Sequence, residues 1–331
     1  MKKKIPLLFL ILVIVLAAVT WFQWTNYQKF LVTPLGLNSD LTVKKGDSAY
    51  KLGKKWQAAG HIDNFYYYQL LLKMQPELRS IKAGEYQVSP TMTPTEVLAT
   101  LVEGKVKSYQ VSVIEGSNIY ELFNSISTDS RLDKKINDLE QLKVEFGLAN
   151  DEYLEGIFFA ETYQFNKGDS DLDIYQRANQ QLAKVLEEEW NNRAPDLPYE
   201  DPYEALIMAS IIEKETAVAA ERPIIAGVFV RRLQKGMLLQ TDPTIIYGLL
   251  PGFDGDIRRK DIKNPHPWNT YVHKGLPPSP IAMVGREAIN AALNPQDGKA
   301  LYFVAKGDGT HQFSETLKEH NNAVRKYQLK R

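Results

Sequence analysis

The 331-residue chain contains no cysteine. This excludes disulfides, thiolate metal sites, cysteine nucleophiles and a lipid-modified N-terminal cysteine. It also lacks an excess of either charge: 40 lysines and arginines balance 40 aspartates and glutamates. Runs of one sign are short, reaching three residues as at Lys2-Lys3-Lys4 and Glu187-Glu188-Glu189. Phosphate binding needs clustered positive charge, so nucleic acid is excluded as the main partner, and an uncharged polymer such as a glycan suits the balance better. Histidine is scarce. His61, His266, His273, His311 and His320 are the five, and none stands in an HExxH or similar metal-binding spacing. Ser210 has no flanking glycines of a nucleophile elbow, which argues against a serine hydrolase. No internal repeat is evident.

What is present begins with a long hydrophobic run. Residues 5–22 carry no charge, and only Pro6 and Thr20 fall outside the apolar set. As a helix this stretch reaches about 27 Å, close to the hydrocarbon thickness of a bilayer. Trp21 and Trp24 follow where interfacial aromatics belong. The basic flank at Lys2-Lys3-Lys4 predicts a cytoplasmic N-terminus, with everything after the run carried across the cytoplasmic membrane. A cleaved signal peptide, with small residues at Ala17-Ala18-Val19, is the competing reading. The length of the run and the tryptophans favour an uncleaved single-pass anchor.

Periodicity and punctuation then predict an α+β chain. Residues 1–25 form the tail and anchor, and 26–40 a stalk. Short strands and helices alternate over 41–127 as one small module, with strands at 41–44, 81–88 and 109–113. Thr93-Pro94-Thr95-Glu96 has capping-box spacing with proline at the first helical position. Residues 128–152 are a connector, and 153–331 a mixed, helix-rich domain. Within the latter, helices are expected over 173–191, 204–220 and 223–235, the last ended by Gly236. A hairpin turns through Gly307-Asp308-Gly309, and a final helix covers about 315–328.

The most apolar of these helices carries two glutamates. At 100° per residue, Glu215 falls in the middle of the stripe formed by Ile207, Met208, Ile211, Ile212 and Val218. Glu213 falls on the opposite side, toward water. A carboxyl on an apolar face is poorly solvated as an anion, so it holds its proton near neutral pH, the state a general acid needs. The alternative is a structural ion pair with Arg222, Arg231 or Arg232.

Glu213-Lys214-Glu215-Thr216 is followed in order by Leu239-Gln240-Thr241-Asp242-Pro243-Thr244, Tyr247, Asn269-Thr270-Tyr271, Gly275-Leu276-Pro277-Pro278, Leu301-Tyr302-Phe303-Val304, His311 and His320-Asn321. This ordered set resembles the endolytic murein transglycosylase (YceG-like) family. The anchor and the small module also match, so the resemblance covers nearly the whole chain. One departure stands out: Ala160-Glu161-Thr162-Tyr163 occupies the place where the family usually reads Pro-Asp-Thr-Tyr, which keeps the charge at Glu161 but lengthens the side chain.

The resemblance implies a LysM-like module at 41–127 and a catalytic domain at 153–331. It implies Glu215 as the catalytic acid of a lytic transglycosylase, cutting the β-1,4 bond between N-acetylmuramic acid and N-acetylglucosamine in peptidoglycan strands and leaving 1,6-anhydro ends. Because the muramic 6-hydroxyl attacks within its own sugar, neither a second carboxylate, a metal nor a cofactor is required. Gln240, Thr241, Asp242, Tyr247, Asn269, Tyr271 and Glu161 are the candidate substrate-binding residues. Against that stands ordinary turn chemistry for Asp242-Pro243-Thr244, and simple packing for Tyr247. The expected partners are glycan strands, the membrane and peptidoglycan synthases, with trimming of nascent strands as the expected role. A non-catalytic wall-binding scaffold is the competing function.

Overall fold

No glycine or proline interrupts residues 7–32, and the chain there forms one continuous helix, α1 (Leu7–Val32). The computed structural model describes residues 7–37 and 40–329; the basic flank at Lys2-Lys3-Lys4 lies outside them. Leu10, Ile14, Trp21 and Phe22 are exposed along α1. It is the one helix among the described residues long and apolar enough to cross a bilayer. Its last two turns behave differently. Tyr27 is buried, and Phe30 and Leu31 pack on the same core. Residues 26–32 therefore continue the helix into folded protein and do not form a separate stalk.

The chain divides into two compact units, Met1–Tyr109 with Asn166–Gly168, and Gln110–Phe165 with Asp169–Arg331. In the first, β1 (Asp40–Val43) pairs antiparallel with β2 (Gly84–Gln87), Leu41 opposite Tyr86. Between them come α2 (Ala49–Ala58), capped by Ser48, and α3 (Phe65–Met74), capped by Asn64. The close approach of these helices needs Gly53: a Cβ there would lie 2.1 Å from the Tyr68 ring. The predicted capping box forms. The Thr93 hydroxyl accepts from the Glu96 N–H, the Glu96 carboxylate accepts from the Thr93 N–H, and α4 (Pro94–Glu103) follows. Leu52, Trp56, Tyr68, Leu71, Tyr86, Leu98 and Leu101 fill the core.

The second unit takes up the chain along β3 (Ser108–Ser112), which pairs with β4 (Thr162–Asn166). Here α5 (Ile119–Ser127) and α6 (Leu139–Glu145) precede the long α7 (Asp171–Asn191). The centre is α8 (Pro202–Glu215), in which Ala205 to Ile212 are all buried. A helix apolar on every side belongs inside, and α7, α9 (Arg222–Gln234) and α12 (Arg286–Leu293) enclose this one. The short α10 (Asp242–Gly248) and α11 (Arg259–Ile262) lie in the proline-rich stretch. The expected hairpin is β5 (Tyr302–Ala305) against β6 (His311–Ser314), with Ala305 opposite His311, and α13 (Leu317–Tyr327) closes the chain.

Two expectations about α8 fail. The helix stops at Glu215, because Thr216 turns extended at φ −148°, so Val218 is not on it. Glu213 does not face water: its side chain is 4% exposed, 3.0 Å from Arg222 Nη2, and it accepts from the Gly285 N–H at 3.1 Å. The wheel assumed a wet side. At this level α12 supplies its N-cap, whose free N–H groups favour a carboxylate.

Glu155 is the most enclosed carboxyl described, 1% exposed. It accepts from the Ile119 N–H at the start of α5 at 3.0 Å. Burial pushes its pKa up to about 8 from 4.5. The folded state thus binds a proton that the unfolded state releases above pH 4.5. The stability this confers is complete below that pH and lost as the pH rises to about 8, by about 5 kcal/mol at most. Urea unfolding of the wild-type chain is expected to weaken across this window, and Glu155→Gln to remove that slope while remaining folded.

Candidate active site

Glu215 is the last helical residue of α8, so it sits at the negative end of the helix dipole, which disfavours a second negative charge. Its carboxylate accepts a short hydrogen bond from the Thr241 hydroxyl. Thr241 is buried and occupies the cap position before α10. Its N–H donates to the Thr270 hydroxyl at 3.2 Å, and its carbonyl accepts from the Thr244 hydroxyl at 2.7 Å. Thr244 and Thr270 hydroxyls are 2.9 Å apart. Three threonines thus lock the donor that addresses Glu215. Gln240, immediately before, adopts a left-handed backbone at φ 54° and donates its N–H to the Thr270 carbonyl. That strained conformation in a non-glycine residue is what brings Thr241 into line.

A groove of about 410 Å³ opens over Glu215, and Gln240, Thr241, Asp242 and Tyr271 line it. The Tyr271 hydroxyl donates to Asp242 at 2.6 Å, tying one wall together. Arg232, Tyr302, His311 and His320 form other parts of the lining. Arg232 is buried, donating from Nε to the Leu301 carbonyl at 2.7 Å and from Nη1 to the Leu238 and Leu239 carbonyls. Its guanidinium lies over the Tyr302 ring, on which the imidazole of His320 also stacks. His311 Nδ1 is 2.7 Å from Glu221, a carboxylate that orients the ring and leaves Nε2 as its other polar atom.

Burial pushes the Glu215 carboxyl above its ordinary value. The Thr241 hydrogen bond pulls the other way, the Asp242 charge adds to the rise, and His311 and Arg232 oppose it more weakly. The net direction is a carboxyl that holds its proton more tightly than a solvated glutamate, beside groups able to support the anion once the proton has left. Burial, with the nearby Arg232, also pushes His320 below the usual histidine range.

The remaining candidates stand elsewhere. Asn269 is buried, its amide nitrogen within 3.1 Å of the Asp261, Ile262 and Asn264 carbonyls and its oxygen accepting from the Tyr271 N–H. It shapes the loop that carries Tyr271 and offers no atom to the groove. Tyr247 packs on Trp268, with Glu155 beside its hydroxyl. Glu161 is exposed at the start of β4, with its carbonyl accepting from Val113. None of these three lines the groove.

A model of the YceG-like family matches residues 41–326. The chain is 32% identical to the endolytic murein transglycosylase of Bacillus subtilis, over 91% of this chain and 89% of that protein. The chain belongs to the YceG-like family. It is also 24% identical to the endolytic murein transglycosylase of Streptococcus pneumoniae strain D39, over 97% of its own length and 65% of that protein. A crystal structure of a YceG-like protein from Listeria monocytogenes aligns with a TM-score of 0.55 at 29% identity, over 86% of this chain and 98% of that one.

For this YceG-like protein, the structural ion pair weighed against Glu215 belongs to its neighbour. Arg222 joins Glu213, and also Glu115 and Glu287, whereas Arg231 is held by the Ala300 and Gln296 carbonyls. Sequence reasoning assigned no site role to Arg232, Glu221, Tyr302 or Thr270. Of these, Tyr302 and Thr270 stood inside quoted motifs, which was the available signal.

Removing the Thr241 hydroxyl takes a hydrogen bond from the charged form of Glu215, so its pKa must rise. Such bonds contribute about 1.5–3 kcal/mol, or about 1–2 pH units. Carboxyl ¹³C titration of Thr241→Val is expected to show that increase, and an unchanged or lowered midpoint would contradict the assignment.

Proposed function

We propose that this chain is a lytic transglycosylase cutting the β-1,4 bond between N-acetylmuramic acid and N-acetylglucosamine in peptidoglycan strands. The observation that carries it is the buried carboxyl of Glu215 at the base of a polar groove, its pKa raised by burial, with a fixed hydroxyl donor and nearby positive charge. The endolytic murein transglycosylase named in B. subtilis, similar over nearly its whole length, supports the same substrate and internal cutting.

The chemistry follows from that carboxyl. Glu215 gives its proton to the glycosidic oxygen as the bond from that oxygen to muramic C1 breaks. The muramic 6-hydroxyl oxygen then bonds to C1, and its proton passes to the Glu215 carboxylate. The acid is restored, no water is consumed, and the muramic end is a 1,6-anhydro sugar. Thr241, Arg232 and His311 matter in the interval when Glu215 is charged, because each stabilises the anion. Gln240, Asp242 and Tyr271, which line the groove, would contact sugar hydroxyl or acetamido groups.

Helix α1 we read as a single-pass anchor in the cytoplasmic membrane, N-terminus inside, with the catalytic unit outside. Its exposed apolar length and interfacial tryptophans support this. The β1-α2-α3-β2 unit supports a LysM-like module. An anchored enzyme meets strands as they are laid down at the membrane face, which favours trimming of nascent strands beside peptidoglycan synthases.

Glu215→Gln keeps the shape of the side chain and removes the transferable proton. Its release of 1,6-anhydromuropeptides from purified peptidoglycan is expected to fall by about 10²–10⁴-fold. Mass spectrometry of the ends checks the reaction: product at the unmutated rate would remove Glu215 from the mechanism, and ends that have gained water would indicate hydrolysis. No anhydro product from the wild-type chain would favour a scaffold.

A further inference from the structure

The first unit carries a second set of aromatic side chains at the level of the interfacial tryptophans. Gln23 lies between Trp21 and Trp24 on α1, and its Oε1 accepts from the Tyr67 hydroxyl at 2.7 Å, across 44 residues of sequence. The Tyr67 ring is 6.5 Å from that of Tyr27 and 6.3 Å from that of Phe30, and Tyr27 is 5.8 Å from Trp24. These contacts hold the start of α3 alongside α1 where Trp24 leaves the exposed segment. Tyr66, next in line, is 59% exposed, with its ring 5.9 Å from that of Tyr67.

We infer that the first unit rests on the lipid headgroups through the start of α3, with Tyr66 and Tyr67 extending the aromatic belt begun by Trp21 and Trp24. The inference rests on the reading of α1 as a membrane span. Its occupant is the bilayer, and continuity with α1 is the reason. Tyr27, the first residue of α1 buried in the core, comes three positions after Trp24, a rise of about 4–5 Å. The headgroup layer on each side of a bilayer is about 5–7 Å deep. A helix that emerges at Trp24 and enters the folded core at Tyr27 leaves no gap for water-filled clearance. Tyrosine is suited to that layer, having an apolar ring and a polar tip. The exposed Tyr66 ring, beside the half-buried Tyr67, thereby gains a role that needs no sugar.

Absence of cysteine makes the test direct. Ile14→Cys, Tyr66→Cys and Thr91→Cys would each be labelled with bimane in the full chain and reconstituted into phosphatidylcholine vesicles. Quenching would be read from lipids carrying a nitroxide in the headgroup or in mid-acyl chain. Thr91 is the reference within the same unit. Its neighbours Pro90 and Met92 accept from the Gly36 and Leu35 N–H groups, beyond the end of α1. That end is eight residues past Trp24, or about 12 Å farther out. The Ile14 label is expected to be quenched by the mid-chain nitroxide. The Tyr66 label should be quenched by the headgroup nitroxide several-fold more than the Thr91 label. Equal headgroup quenching at 66 and 91, with Ile14 quenched as expected, would overturn this inference and leave the span intact. A glycan platform facing away from the lipid would give that result. An unquenched Ile14 label would overturn the span and the inference together.

Discussion

The hydrogen bond from the Thr241 hydroxyl to the Glu215 carboxyl carries the conflict that the groove has to resolve. On the proposed mechanism, an acid that first gives up a proton and then recovers one cannot be too comfortable in either state. Enclosure at the C-terminal end of α8 penalises the anion, and a donor that cannot rotate away supports it. That donor is fixed because Thr244 and Thr270 occupy its other partners. The position of Thr270 depends in turn on the loop ordered by Asn269. A polar network that is satisfied in this way is stiff, and stiffness here means that the carboxyl meets the same donor in every molecule.

Much of the fold was legible where short-range chemistry decides structure. Thr93 with Glu96 announced α4, Gly236 ended the helix before it, and Gly307-Asp308-Gly309 marked the hairpin. The groove was legible in part. Glu215, Gln240, Thr241, Asp242 and Tyr271 meet there, whereas Asn269, Tyr247 and Glu161 do not line it. Asn269 misled because a buried asparagine that organises backbone carbonyls has the same local sequence as one that greets a ligand. Glu213 misled because a helical wheel records period and not surroundings. On a helix enclosed all round, the side opposite the isoleucines is simply another interior. Short α12 went unread because it is only eight residues long, about two turns, directly after a proline-rich stretch. Arg232 was read only as a possible ion-pair partner, because its place in the groove comes from carbonyls and a ring that only the tertiary fold brings together.

The division of labour between the two units follows from where each keeps its polar groups. In the first, buried hydroxyls such as Tyr68 and Tyr86 close on backbone carbonyls and tie helices to strands. In the second, side chains converge on open volume and leave donors and acceptors available.

Arg222 draws a consequence from this packing. It gathers Glu115 from the segment after β3, Glu213 from α8 and Glu287 from α12, while itself belonging to α9. Glu213 and Glu215 are two residues apart and therefore project about 200° from each other on the helix. Anchoring the first like a key in a lock fixes the rotational setting of the last turn of α8. The Glu215 carboxyl inherits its bearing from a neighbour that never enters the groove, so on the proposed mechanism a change at Arg222 misdirects the chemistry without touching any atom that performs it.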